Sequence, residues 1–154
     1  MGKRNATAFV AVLCTLCMVG CSKKAPTLAD VNNTNIKKLR GAYGLFLFQH
    51  NLRGPESEDQ LKDFLRTDAG AKVKLERMGM TLDDIDSIFI SERDGKPFKV
   101  RYGLNGIGDH AAVFEAEGVD GKRQVAFANP REVDADEYDQ LWKQERPAAE
   151  RMEF

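Results

Sequence analysis

Between Ile90 and Pro97 the apolar spacing of this chain changes, and that change limits what it can fold into more than any other feature. Upstream, Ile36, Leu39, Tyr43, Phe46, Leu47 and His50 recur at steps of three and four, the repeat of one helical face. Downstream, PFKVRY at 97–102 sets Phe98, Val100 and Tyr102 against Lys99 and Arg101, the two-residue repeat of a strand. Asp94-Gly95 lies between them as a turn signal. Helices first and strands afterwards predict an α+β domain rather than alternating βαβ units.

The first helix is expected within 31–52, with Asp30 or Asn32 as N-cap and Gly54-Pro55 ending it. Gly41 and Gly44 each weaken it by about 1 kcal/mol relative to Ala. LFLF at 45–48 is apolar all round, so a strand over 43–48 is the rival. Ser57 and Gln60 form a capping-box pattern for a second helix carrying Leu61, Phe64 and Leu65, expected to stop near Ala69-Gly70. Residues 71–80 read as loop or short strand, and Thr81 with Asp84 as a second capping box. Strands are expected at 97–102, 111–116 and 124–128, the last two joined through Gly118-Val119-Asp120-Gly121. This makes an antiparallel meander of three to four strands, closed by Asn129-Pro130. Its alternation predicts one wet face, with helices covering the other. Asp134 should cap a C-terminal helix bearing Tyr138, Leu141 and Trp142, with Trp142 as a core anchor. The single domain is expected over 31–146 and a flexible tail over 147–154.

All three cysteines, Cys14, Cys17 and Cys21, lie near the start. Lys3 and Arg4 precede an uncharged, mostly apolar run from Ala8 to Val19, too short to span a bilayer core of about 30 Å. A charged start, a short apolar run and a small residue before a break have the form of a secretory signal. Met18-Val19-Gly20-Cys21 resembles the lipobox of bacterial lipoproteins, with Met18 where that family prefers Leu. The resemblance implies cleavage between Gly20 and Cys21, removal of 1–20, lipidation of Cys21 and a tether over 21–30. Three acyl chains would make that anchor effectively permanent. Ser22, where an Asp would retain such a protein at the inner membrane, implies the outer membrane facing the periplasm. Cys14 and Cys17 then leave with the leader as small hydrophobes, and no metal or redox site is expected of them. With no cysteine after Cys21, stability must come from packing without a disulfide.

The formal net charge is −1, and losing Lys3 and Arg4 makes the remainder more acidic. No basic stripe marks a nucleic-acid binder. Gly103, Gly106 and Gly108 surround the most site-like stretch, ending in Asp109-His110. Asp109 and His110 are the candidate ligand-contacting residues, although neighbours on a strand point to opposite faces. A zinc site there would need carboxylates such as Glu115 and distant help. Asp83, Asp84 and Asp86 resemble a fragment of a calcium loop but lack its full spacing. There is no G-x-S-x-G and no nucleophilic cysteine in the mature part, so no catalytic residue is assigned and no cofactor, metal or small-molecule ligand is expected. The first helix and small sheet loosely resemble the fold of pilin-like and pseudopilin proteins. SERDGKPFKVRYG at 91–103 and EGVDGKRQVAF at 117–127 resemble small planctomycete envelope proteins, which supply no activity. The expected role is a lipid-anchored, non-catalytic binding or structural module of the cell envelope, with the membrane and an envelope protein as partners. An accessory part of a pilus-like or secretion assembly is the alternative, and a small hydrolytic or metal-dependent enzyme using Asp109 and His110 is a third.

Overall fold

The computed structural model describes residues 34–106 and 110–144. The expected leader, its cleavage site at Gly20-Cys21 and the tether all lie outside the described residues, as does the 147–154 tail. Helix α1 spans Asn35–Gln49, so residues 43–48 are helical and not a strand. Its N-cap is Thr34, whose side chain makes no capping bond; the expected caps Asp30 and Asn32 fall outside the described part. Ile36, Leu39, Ala42, Tyr43, Leu45 and Phe46 are buried, while Phe48 is 73% exposed. Tertiary burial of this face outweighs the two glycines, because helices in proteins are held mainly by packing.

Helix α2, Glu58–Thr67, starts where Ser57 Oγ accepts a hydrogen bond from Gln60 N at 3.2 Å. The reciprocal half of the expected box is shifted by one residue: Gln60 Oε1 accepts from Glu56 N at 2.6 Å. Glu58 and Asp59 occupy the positive first turn and Arg66 the negative last one.

The expectation of loop or strand for 71–80 is corrected by helix α3, Ala69–Arg77. Asp68 ends α2 and also caps α3, its carboxylate accepting from Ala71 N at 2.7 Å. That shared residue also stops α2 at Thr67, short of Ala69-Gly70. Buried Ala71 and Leu75 stand one turn apart, and Val73 between them is 49% exposed. AKVKLER is thus a short amphipathic helix whose apolar spacing of four was obscured by Val73. Asp68→Ala should lower stability by about 1 kcal/mol and speed amide exchange across α3, measured by urea denaturation and hydrogen exchange. Unchanged exchange there would contradict this account of how α3 starts.

After Met80, 3₁₀ turns at Leu82–Asp84 and Ser87–Phe89 lead into the sheet. The expected box at Thr81 forms: Asp84 Oδ2 accepts from Thr81 N at 2.7 Å and from its hydroxyl at 2.9 Å. These bonds hold the Asp84 carboxyl below its ordinary range. Its stabilising effect is therefore present above the ordinary Asp pKa and fades as pH falls through the lowered one.

The sheet is an antiparallel meander in the order β1-β2-β3-β4, with β1 Lys99–Val100, β2 Val113–Phe114, β3 Arg123–Ala126 and β4 Pro130–Val133. Val119 and Lys122 exchange backbone hydrogen bonds around Asp120 and Gly121, whose φ values are 52° and 74°. Two positive φ angles match the twist of a tight hairpin, which explains the Asp-Gly there. Pro130 opens the fourth strand rather than closing the sheet, pairing with Ala126 at the strand's first residue, where a missing N–H is tolerated.

The expectation of one wet face is also corrected. Ala111, Ala112, Val113, Phe114 and Glu115 are all buried, because helices cover both sides of β2. One side packs with α1, α2 and α3 around Tyr43, Leu61 and Leu65. The other packs beneath α4, Ala135–Lys143, through Phe114, Val125, Val133 and Tyr138. Asp134 caps α4 as expected, accepting from Glu137 N at 2.9 Å. Trp142 is 41% exposed and is no core anchor; its ring meets Phe114 edge-on, with centroids 5.0 Å apart. Arg101 completes this side, its guanidinium donating to the carbonyls of Leu141 and Trp142 at 2.6 and 2.7 Å. A cation there meets the negative end of α4.

Candidate functional site

Asp109 lies outside the described residues, so the Asp109-His110 pair cannot be placed as a unit. His110 is half-buried just ahead of β2. His50, the other histidine, sits at the end of α1. Its ring stacks on Phe46 with centroids 3.9 Å apart, and Nδ1 donates to the Phe46 carbonyl at 2.9 Å. Its place is thus a helix C-terminus, where the Phe46 carbonyl accepts from both the His50 ring and the His50 backbone N–H at 3.0 Å. Among the described residues, no group of three or more His, Cys, Asp and Glu side chains is placed to hold a metal.

Glu115, expected as a carboxylate that a zinc site would need, is bonded to protein groups. It is 1% exposed and accepts from Ser91 Oγ at 2.9 Å, Arg93 Nη1 at 3.2 Å and Gln124 N at 2.6 Å. Its backbone carbonyl accepts from the Tyr138 hydroxyl at 2.7 Å. Ser91, also 1% exposed, accepts in turn from Arg93 N and Asp94 N. Arg93 bridges outward to Glu132 on β4 at 2.9 Å. A buried carboxylate is tolerable only when paired and hydrogen-bonded, and here one clamp joins the 91–95 turn, β2, β3, β4 and α4. A serine beside a carboxylate invites a catalytic interpretation, but this hydroxyl is sealed from solvent and already bonded. Sequence reasoning missed the clamp, although a lone Glu in the apolar run AAVFEA was its signal.

Asp94 ties down the same turn from outside. Partial burial pushes its carboxyl up, yet amide bonds from Gly118, Lys96 and Glu117 outweigh that and hold it below the ordinary range. Asp86 is lowered as well, by hydrogen bonding to Lys62 and the charges of Lys62 and Arg66 against a smaller opposing effect of burial.

An open groove of about 450 Å³ is lined by Arg53, Gly54, Glu56, Tyr102, Gly103 and Asn105. Tyr43 builds its floor: the hydroxyl donates to Arg101 O at 3.1 Å and accepts from Leu104 N at 3.2 Å. Gly103 N donates to Pro55 O at 2.7 Å and Gly106 N to Leu52 O at 2.8 Å, tying the 52–55 corner to the 103–106 loop. The Tyr102 hydroxyl is buried with no hydrogen-bond partner. Burial, helped by the nearby Glu58, Tyr43 and Asp59, pushes it above its ordinary pKa, so it stays protonated. Arg53 and Glu56 give the groove one cation and one anion, which can hold a polar group. The sequence pointed to the glycines of this loop, but their partner, the 53–56 corner, is remote in the chain.

No helix among the described residues is long and apolar enough to cross a membrane. Comparison with known proteins gives no match to a family model, to a curated protein or to a solved structure.

Proposed function

We propose that this chain is a lipid-anchored protein of the bacterial cell envelope, held at the outer membrane on its periplasmic side. Its α+β domain acts there as a non-catalytic binding or structural module. The observation that carries this reading is the order of the first residues: Lys3 and Arg4, the uncharged run, then Gly20-Cys21. Cys21 provides a thioether site for diacylglycerol and, once exposed by cleavage, an amino group for a third chain. Two features of the domain agree with a role other than catalysis. The buried Ser91–Glu115 pair is consumed in holding the fold together. The open groove at Arg53 and Tyr102 offers one cation and one carboxylate for polar contacts.

An assembly role through α1 would call for an apolar strip on its outer side. Phe46 is buried in the core and Phe48 alone of the pair faces outward, so the anchored-module reading is preferred.

The test is Cys21→Ser expressed in a Gram-negative host and fed labelled palmitate. The wild type should incorporate label and float with membranes after cell lysis. The variant should lose the label entirely and keep its 1–20 leader, visible as a higher intact mass. Equal labelling of both proteins would refute the anchor.

A further inference from the structure

α1 and α3 lie side by side and antiparallel, as two close approaches show. Met78 Sδ lies 3.3 Å from where a Cβ on Gly41 would sit, and Gln49 Nε2 lies 3.1 Å from the corresponding point on Gly70. The paired helices carry a cationic surface: α1 contains Lys37, Lys38 and Arg40 with no acid, and α3 contains Lys72, Lys74 and Arg77 against Glu76 alone. The whole chain nevertheless has a formal charge of −1, and α4 at the opposite side of the sheet bears Asp136, Glu137 and Asp139 against Lys143. On that opposite side Lys99 and Arg123 lie over Tyr138, Arg101 over Trp142, and Arg131 pairs with Glu137.

Among the described residues, the most exposed large apolar side chain is on this face. Phe48 is 73% exposed, and Lys74 Nζ sits 4.8 Å from the centre of its ring. Val73, next to Lys74, is 49% exposed. A solitary surface phenyl needs no explanation. An exposed Phe and Val set among Lys72, Lys74 and Arg77 have the composition of a surface that lies on a membrane. Lipid phosphates would pair with the cations while the Phe48 ring and the Val73 side chain enter the headgroup boundary.

We infer that the α1–α3 face, through Phe48, Val73, Lys74 and Arg77, docks on an anionic bilayer surface. This rests on the lipid anchor at Cys21. The stretch from Cys21 to Thr34 can reach at most roughly 40 Å when fully extended, and α1 is about 22 Å long. An anchor in the same membrane can therefore reach either end of that face. The anchor would supply residence at the membrane, and the face would fix orientation, leaving α4 and its half-exposed Trp142 turned away from the lipid.

The lipidated protein is inserted into vesicles of phosphatidylcholine alone or with phosphatidylglycerol, and amide exchange is followed across α1 and α3. Exchange over Ala69–Arg77 should slow at least about fivefold with phosphatidylglycerol and recover in high salt, which screens charge beyond a few ångströms. Lys74→Glu/Arg77→Glu should abolish the slowing while the protein still floats with vesicles, and Phe48→Ser should reduce it. Equal exchange in both vesicle types, with flotation intact, overturns the docking face and leaves the anchor standing. Protection that appears equally in detergent and grows with protein concentration assigns the face to a second copy and also overturns it. A chain that carries no lipid and does not float overturns both readings.

Discussion

Replacing Gly54 with alanine is expected to destabilise the domain by about 3 kcal/mol, at the upper end of what overpacking a core costs. A Cβ at this position would collide with the carbonyl oxygen of Leu104 and stand 2.5 Å from the Tyr43 hydroxyl. Neither obstacle is the free end of a flexible side chain. Leu104 O belongs to the backbone, and Tyr43 is fully buried and bonded at both Arg101 and Leu104. Relief therefore requires the 52–55 corner to separate from the 103–106 loop, breaking the Gly103–Pro55 and Gly106–Leu52 bonds. The expected loss should lower the melting temperature by roughly 10 °C or more, read by calorimetry or circular dichroism. Tyr43→Phe in the same background should restore only part of it, since the clash with Leu104 O stays. A Gly54→Ala protein as stable as the wild type would show that the two segments do not approach this closely.

Glu115→Ala is expected to cost about 3–5 kcal/mol, the range for removing one partner of a buried ion pair. The substitution orphans Ser91 Oγ and Gln124 N in a dry interior and leaves Arg93 with Glu132 as its remaining carboxylate. Glu115→Gln keeps the shape but offers one acceptor oxygen to three donors, so it should fall between the two. The double variant Glu115→Ala/Arg93→Met should lose less than the sum of its singles, because each single already removes the Arg93–Glu115 interaction, which the pair can lose only once. Denaturant unfolding measures all four proteins. Strict additivity would mean that Arg93 and Glu115 do not act as a unit.

Much of this architecture was legible in the chain. The change of period around Asp94-Gly95 marked where helices give way to strands, and Ser57, Thr81 and Asp134 announced three of the turns that cap helical segments. These are signals carried by neighbours in sequence, which the backbone reads locally. α3 was missed because Val73 interrupts its apolar spacing, and a helix this short shows only two buried positions, Ala71 and Leu75. The second covering of the sheet was missed because the alternation in PFKVRY looks wet on one side. Lys99 is indeed exposed, but Arg101 folds over Phe114 and Trp142 with its guanidinium 5.2 and 5.5 Å from their ring centres. A long cationic side chain can cover apolar surface while its head finds carbonyls, and no pattern of polar and apolar letters distinguishes that from solvation.

By itself, then, the sequence determined the class of fold and the passage from helices to strands, because capping, turn chemistry and hydrophobic period act over a few residues; the address at Cys21 is proposed from the sequence alone. Only the tertiary structure decided that Glu115 is a clamp, that Trp142 faces outward, and that Gly54 is irreplaceable. Each of those depends on groups between 9 and 61 residues apart in the chain, whose meeting is set by how the helices pack on the two faces of one small sheet.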